Sequence, residues 1–504
     1  MASVQQRLAD SLSVLKTFQN KDGLAIVKAS DISRTHLSRL VQNGFLQEVM
    51  KGWYIFSRPD ASAGDTINWY TSYWYFIKEY STHRFKEQWS LTPEQSLLLH
   101  SGSNLVPTQI IIRSPKGNNN FVNLLHKTSL LDLKSPIADP IFKEPNFDLN
   151  IYTLPEALVE CSPEFFKTDA VAARICLSLI DDAKEILKYL LKKGYSVRAG
   201  RLVGAFRNIG NNNIADEILL TMKSFGYIVS EEDPFSNHSA LPYTFFSSPY
   251  VGRLRLMWSN MREKVIDNFP LKEKKIEDIE TCLNNIDASY QQDAYHSLSI
   301  EGYRVTEKLI EKVRLGFWNP EEDAYDNLQR NAMAARGYWL CFNEVKKSIK
   351  KILSGDSPAE VVSQDHSQWY KELFSPSLHL GLLNSYDLIG YRTSQVYIKG
   401  SMHIPLNPNA LREAMPEFFN LLKNEPDARV RAVLGHFFFV YIHPYMDGNG
   451  RIARFLMNTM LISGGYSWTV IPVERRQEYM IALEKASVEQ DIIPFTKFLL
   501  SLIK

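Results

Sequence analysis

His443-Pro-Tyr-Met-Asp447-Gly448-Asn449-Gly450-Arg451, followed by Arg454, lies between two apolar runs and decides how the second half of the chain folds. Upstream, Val430, Val433, Leu434, Phe437, Phe438, Val440, Tyr441 and Ile442 are apolar nearly all round. That pattern predicts a buried helix, stopped at His443 by Pro444. Downstream, Ile452, Phe455, Leu456, Thr459 and Met460 recur at helical spacing. The stretch between is therefore a loop joining two core helices, and the second helix presents its N-terminus to whatever the loop binds.

Residue type then sets the chemistry. Gly448 and Gly450 are expected to take positive φ and let backbone N–H groups approach an anion, with the dipole of the next helix pointing into the same space. Asp447 is a hard oxygen ligand of the kind that holds Mg²⁺ together with substrate phosphates. Arg451 and Arg454, three apart on the helix's first turn, place two guanidinium forks beside a polyphosphate. His443, ordinarily titrating near about 6.5, is placed to take a proton from an attacking hydroxyl. No Gly-Lys-Ser/Thr follows and no strand precedes, so neither a P-loop nor a kinase glycine loop fits.

This segment resembles the signature of the Fic family, His-Pro-Phe-x-Asp/Glu-Gly-Asn-Gly/Lys-Arg-x-x-Arg, and departs from it only at Tyr445. The resemblance covers roughly residues 285 to 500. It implies an all-helical fold that transfers AMP from ATP, with Mg²⁺, to a Tyr, Thr or Ser hydroxyl of a protein. It further implies that His443 is the base and Asp447 the metal ligand. Gly448, Asn449 and Gly450 would form the anion hole, and Arg451 and Arg454 would grip the terminal phosphates. Family members that phosphorylate carry Lys in place of Gly450, so glycine there favours AMP transfer.

Three further elements fit the same resemblance. Ser297-Leu-Ser-Ile-Glu301-Gly302 is similar to the family's inhibitory motif, and a helix-borne Glu301 is expected to pair bidentately with Arg454. Val396-Tyr397-Ile398-Lys399-Gly400-Ser-Met-His-Ile404-Pro405 reads as a hairpin around Gly400 and Ser401. The resemblance makes this hairpin the flap that aligns the target by strand addition. Arg475, Tyr479 and Leu483 lie at helical spacing, with Tyr479 read either as lining the adenine pocket or as core.

The 504 residues suggest three domains: 1–60, 61–248 and 249–504. A formal net charge of +1 names neither an acidic polymer nor a membrane as main partner. No export signal is read in Met-Ala-Ser-Val-Gln-Gln, and no apolar run is long enough to span a bilayer, so a cytoplasmic protein is expected. Cys161, Cys176, Cys282 and Cys341 have no metal-ligand spacing and read as reduced thiols. His100 and His126 read as ordinary hydrogen-bonded histidines.

The first sixty residues suggest helix, turn, helix and wing, the last from Phe45 to Phe56 around Lys51-Gly52. They resemble the N-terminal module of AbiEi-type antitoxins. That resemblance would put Ser33, Arg34, Thr35, His36 and Arg39 in a DNA major groove. Eight basic against five acidic residues give the segment only +3, which leaves DNA and protein docking both open. Thr108 to Arg113 and the turn at Gly117 to Asn120 suggest a small α/β module, followed by helices from Thr168 and a Ser/Pro-rich connection ending near Pro249.

The expected whole is mainly α: a Fic domain with a β-hairpin flap, preceded by a winged helix and a small α/β module. The expected activity is self-inhibited AMP transfer, with self-modification and pairing of two copies as further expectations. The alternatives are removal of AMP from a modified protein at the same site, and a DNA-binding regulator whose Fic domain senses nucleotide.

Overall fold

The structure, a computed structural model, describes residues 3–19, 24–59, 66–103, 105–235, 248–271, 278–317, 326–379 and 383–503. Residues 236–247 of the expected connection lie outside these. The described residues gather into two compact units. The first is Met1–Arg253 with Tyr397–Ile404; the second is Leu254–Val396 with Pro405–Lys504. Helices dominate, twenty against nine short strands among the described residues, as a mainly α reading requires.

The first unit opens with helix Val4–Lys16, strand Ile26–Lys28, helix Arg34–Gln42 and the hairpin Leu46–Met50/Trp53–Phe56. The three strands form one antiparallel sheet with the last strand central, Ile26 opposite Ile55 and Glu48 opposite Tyr54. Leu15, Val27, Leu40 and Leu46 close a small core beneath it. The order is helix, strand, helix and hairpin, and this small core does not stand alone. Trp53 of the wing meets Phe76 and Tyr80 edge-on at 6.0 and 5.7 Å, on the aromatic helix Ile67–Phe85. The wing therefore shares its core with the module that follows.

That module carries a four-stranded sheet ordered Ser90–Leu91, Gln109–Ser114, Ser129–Lys134, Asn120–Asn123, its central pair parallel. A helical layer from Leu154 to Ser224 completes the unit. The hairpin expected over Val396–Pro405 is corrected by the structure: no ladder joins its two arms. The chain turns at Ile398–Ser401 instead, with Ser401 N–H donating to the Ile398 carbonyl at 3.1 Å and Gly400 at φ +81°. Its backbone is engaged elsewhere in the first unit. Gly400 N–H donates to Thr66 Oγ1 and Val106 N–H to the Met402 carbonyl, each at 3.1 Å.

The second unit is built around helices Ala428–Ile442 and Asn449–Ser463. Both are apolar on nearly every face because other helices cover them: all but three residues of the first and all but two of the second are buried. Gly435 lets them approach closely: a Cβ there would lie 2.7 Å from Leu456 Cδ2. Asp427 caps the first helix, accepting from Arg429 N–H at 2.9 Å. Helices Ile279–Ile300, Asp326–Leu353, Pro358–His379 and Leu411–Asn424 belong to the same unit, as do the closing helices Arg476–Val488 and Ile493–Leu500.

Candidate active site

His443 is the C-cap of the first core helix and takes the left-handed conformation, φ 55° and ψ 61°. Its Nδ1 lies 3.1 Å from the Val440 carbonyl. A carbonyl can only accept, so Nδ1 carries the proton in the neutral ring and Nε2 keeps its lone pair. Burial pushes the imidazole down to about 4, against the raising effect of that carbonyl. The ring is thus a neutral acceptor at physiological pH.

Arg392, which the sequence reading passed over, braces this corner. Its Nε donates to the His443 carbonyl at 2.8 Å, its Nη1 to the Ser394 carbonyl at 2.9 Å and its Nη2 to the Leu406 carbonyl. Its own N–H donates to the Pro444 carbonyl at 2.9 Å. An arginine fifty residues upstream, in a segment without periodicity, left no signal of this role.

The loop is closed by Asn449, which is 1% exposed. Its amide oxygen accepts from Tyr445 N–H at 2.9 Å and its Nδ2 donates to the Tyr445 carbonyl at 2.8 Å. The side chain therefore holds the loop together, and only its backbone is left to meet a ligand. Gly448 is the N-cap, at φ +80° as expected. The first intrahelical bond runs from Ile452 N–H to the Gly448 carbonyl at 3.0 Å, leaving the amides of 449–451 at the helix's positive end. Gly450 corrects the sequence reading. It is helical, and the reason for glycine is crowding: a Cβ would lie 2.5 Å from Glu301 Oε1 and 3.2 Å from Arg454 Nη1.

Asp447 is the exposed member, its side chain 63% accessible. Oδ1 accepts from Gly448 N–H at 2.6 Å, and Oδ2 pairs with Arg451 Nη2 at 3.2 Å. Among the described residues no group of three His, Cys, Asp or Glu is placed to hold a metal unaided. One accessible carboxylate beside a phosphate cradle suits Mg²⁺, which binds through few protein ligands plus substrate phosphates.

Arg451 is sandwiched between Tyr303 and Phe374, its guanidinium carbon 5.3 and 5.1 Å from the two ring centres. It is 1% exposed, and its Nε has no partner. Arg454 is 3% exposed and held by the helix Ile279–Ile300. Its Nε donates to Ser297 Oγ at 2.8 Å, and its Nη2 to the Ser297 carbonyl at 3.1 Å and to Glu301 Oε1 at 2.7 Å. The expected bidentate pair is corrected to a single oxygen, because Ser297 takes the other donors on that side. Arg454 Nη1 remains buried without a partner. Two buried arginines with unspent donors at a helix N-terminus make an anion site.

Glu301 caps its helix just before Gly302, which sits at φ +88°. Its side chain is 26% accessible. Burial raises its carboxyl, but Arg454 and Arg451 outweigh this and hold it below the usual range. Behind Arg454, Asp293 is 4% exposed and accepts from the Tyr338 hydroxyl at 2.7 Å; burial raises its carboxyl to about 6. Tyr479 belongs to the interior. It is 1% exposed, its hydroxyl lies 2.8 Å from His436 Nε2, and its ring packs on Phe495 and Phe498. No face of it is open to a nucleobase.

Residues 362–461 match the Fic/DOC family model. The chain contains a Fic domain. Curated relatives matching it include the protein adenylyltransferases Fic of Drosophila willistoni and Drosophila melanogaster. The first is 30% identical over 218 residues, 42% of this chain and 39% of the relative. The second is 31% identical over 224 residues, 42% and 40% respectively. The chain thus spans about two fifths of the length of the curated relatives it matches. Among solved structures, a fragment of Fic-1 from C. elegans has a TM-score of 0.36 and 20% identity, over 66% of this chain and 94% of that one.

The residues expected to touch DNA belong to the first unit. Arg34 and Thr35 are exposed on the helix Arg34–Gln42. His36 and Arg39 turn instead toward helix Val4–Lys16: His36 Nδ1 lies 2.9 Å from Ser11 Oγ, and Arg39 Nη1 donates to that oxygen and to the Arg7 carbonyl at 2.7 Å. In the same unit His100 Nε2 lies 2.8 Å from the Tyr152 carbonyl, while His126 Nε2 is buried without a partner. Cys161, Cys176 and Cys341 are buried free thiols. No described helix is long and apolar enough to cross a membrane.

Proposed function

We propose that the protein transfers AMP from ATP to a Tyr, Thr or Ser hydroxyl of a protein, and that Glu301 holds this activity down. One observation carries the reading. The buried guanidinium of Arg454 has unspent donors beside a helix N-terminus, while its Nη2 is held at 2.7 Å by a carboxylate from another helix. The amides of 449–451 would receive the phosphates, and Arg451 and Arg454 their terminal charge. Asp447 would hold Mg²⁺, which when bound offsets charge on the departing pyrophosphate.

His443 Nε2 accepts the proton as the target's oxygen bonds to the α-phosphorus, and the bond between that phosphorus and the bridging oxygen to the β-phosphate breaks. Pyrophosphate leaves with the bonding pair.

The decisive experiment incubates Glu301→Gly protein and a lysate with α-labelled ATP, with His443→Ala in the same background as control. Label on protein in the first and none in the second supports transfer. Equal labelling in both sinks it. A second reading has Glu301 orient water to strip AMP from a modified protein, and it draws on the partial exposure of that carboxylate. Release of AMP from a pre-modified target without added ATP would favour it.

A further inference from the structure

We propose that Asp293 and Tyr338 are positioning residues for the nucleotide's terminal phosphate: through Ser297 they fix the guanidinium of Arg454 so that its Nη1 is held at the anion site. This deepens the AMP-transfer reading and rests on it.

All four side chains lie inside the second unit, on three of its helices. Asp293 and Ser297 are four residues apart on one face of Ile279–Ile300, Tyr338 is on Asp326–Leu353 and Arg454 on Asn449–Ser463. Tyr338 is wholly buried, its ring packed against Phe455 with centres 4.9 Å apart, and the other three are at most 4% exposed.

Donor chemistry gives their contacts one direction. Arginine can only donate, so Arg454 Nε donates to Ser297 Oγ at 2.8 Å and the serine keeps its own hydroxyl proton to offer. Tyr338 donates to Asp293 Oδ2 at 2.7 Å, which leaves its oxygen as an acceptor, and the Ser297 hydroxyl is a hydrogen-bond partner of that oxygen. The chain therefore runs from a guanidinium through two hydroxyls to a carboxylate. Arg454 in turn favours the ionised form of Asp293. The transfer step has no use for this carboxylate, and a charge so deep persists only with such partners.

Two carboxylates thus act on Arg454, and they differ in access. Glu301, its side chain 26% accessible, holds Nη2 and can be displaced, whereas Asp293 is sealed in. When Glu301 leaves, the bonds from Nε to Ser297 Oγ and from Nη2 to the Ser297 carbonyl still anchor the guanidinium. Nη1 stays beside Gly450, where an added Cβ would stand 3.2 Å from it, at the helix end that would receive phosphate. An arginine oriented beforehand gives up little side-chain freedom when an anion arrives. The chain should therefore matter to a nucleotide that reaches Arg454 and not to one a phosphate shorter.

The test uses the full-length chain in the Glu301→Gly background with Mg²⁺, at about pH 8, where the Asp293 carboxyl, raised by burial to about 6, is ionised. Kd values for α,β-methylene ATP and for ADP are measured by calorimetry on the parent, Tyr338→Phe and Asp293→Asn, with melting curves on the same samples. Tyr338→Phe keeps the ring and removes the link, so the ATP analogue should bind about threefold to tenfold more weakly while ADP binds as before. Asp293→Asn keeps an acceptor for Tyr338 and loses the charge; it should shift the same way by about twofold to threefold, and it carries the test if Tyr338→Phe does not fold. Equal weakening of both nucleotides, or unchanged affinity for both, would overturn the positioning role. A parent that binds neither nucleotide would overturn both readings. A parent that transfers no AMP from ATP, though the two affinities separate as expected, would count against AMP transfer and leave the chain standing.

Discussion

Replacing Glu301 by glycine should free the site, and the size of the gain can be worked from the geometry. The lock is one charge-assisted hydrogen bond, Arg454 Nη2 to Glu301 Oε1 at 2.7 Å, with the arginine almost wholly buried. Such bonds contribute about 1.5–3 kcal/mol net. Every 1.4 kcal/mol is about tenfold in population, so AMP transfer should rise by about 10- to 150-fold at fixed ATP. The same change leaves a buried guanidinium short of a partner. Loss of one member of a buried pair costs about 3–5 kcal/mol, and partial exposure of Glu301 lets water recover some of it. About 2 kcal/mol, or a Tm lower by about 4–8 °C without nucleotide, is the expected balance. ATP with Mg²⁺ should return most of that loss. Initial rates with α-labelled ATP and melting curves with and without nucleotide provide the assay. A Glu301→Gly protein no faster than the parent, or a Glu301→Gly/Arg454→Ala pair as fast as Glu301→Gly alone, would refute competition for Arg454.

Gly450→Ala should partly mimic that release, because its Cβ would crowd Glu301 Oε1; labelling should rise in the parent and not in Glu301→Gly. His443 sits near 4, so transfer should be flat from about pH 6 to 8 and fall only as pH approaches 4, where the base is protonated. Because that value lies below the roughly 6.5 of an unfolded histidine, the unfolded chain takes up the proton first, and His443's contribution to stability is lost as pH falls from about 6.5 towards 4; melts across that window check the sign. Tyr445→Phe removes a buried hydroxyl that has no partner, and should leave Tm unchanged or raise it by an amount worth about 1 kcal/mol. A fragment beginning near Pro249 should aggregate or exchange rapidly at 397–404, since it strips Ile404 of its packing; a fragment that is monomeric and protected there on hydrogen exchange would contradict this.

The core helices and their loop were legible because composition and period coincide: an all-round apolar run, a proline stop, then a 3.6-residue repeat. Residue order alone placed His443, Asp447 and Gly448 in that loop. What escaped depended on distance along the chain. Arg392 reaches the His443 carbonyl from a segment with no pattern. Tyr303 and Phe374 clamp Arg451 from two other places in the chain. Gly450 was assigned a turn role because a sequence cannot say that a glutamate from another helix fills the space of its missing Cβ. The expected hairpin failed for a related reason, since local β-propensity was overridden by bonds to residues some three hundred positions earlier. Tyr479 had helical spacing suited to core or pocket, and only packing could separate the two.

The left-handed backbone at His443 has a conformational cost. For a residue with a side chain that conformation lies about 1–2 kcal/mol above the helical one, and here the following proline and the Arg392 brace hold it in place. Residues that adopt it more readily, glycine and asparagine, would relieve the tension and remove the base. Glycine at 443 should therefore raise the melting temperature while removing the proposed base, so stability and the proposed transfer pull in opposite directions at one residue.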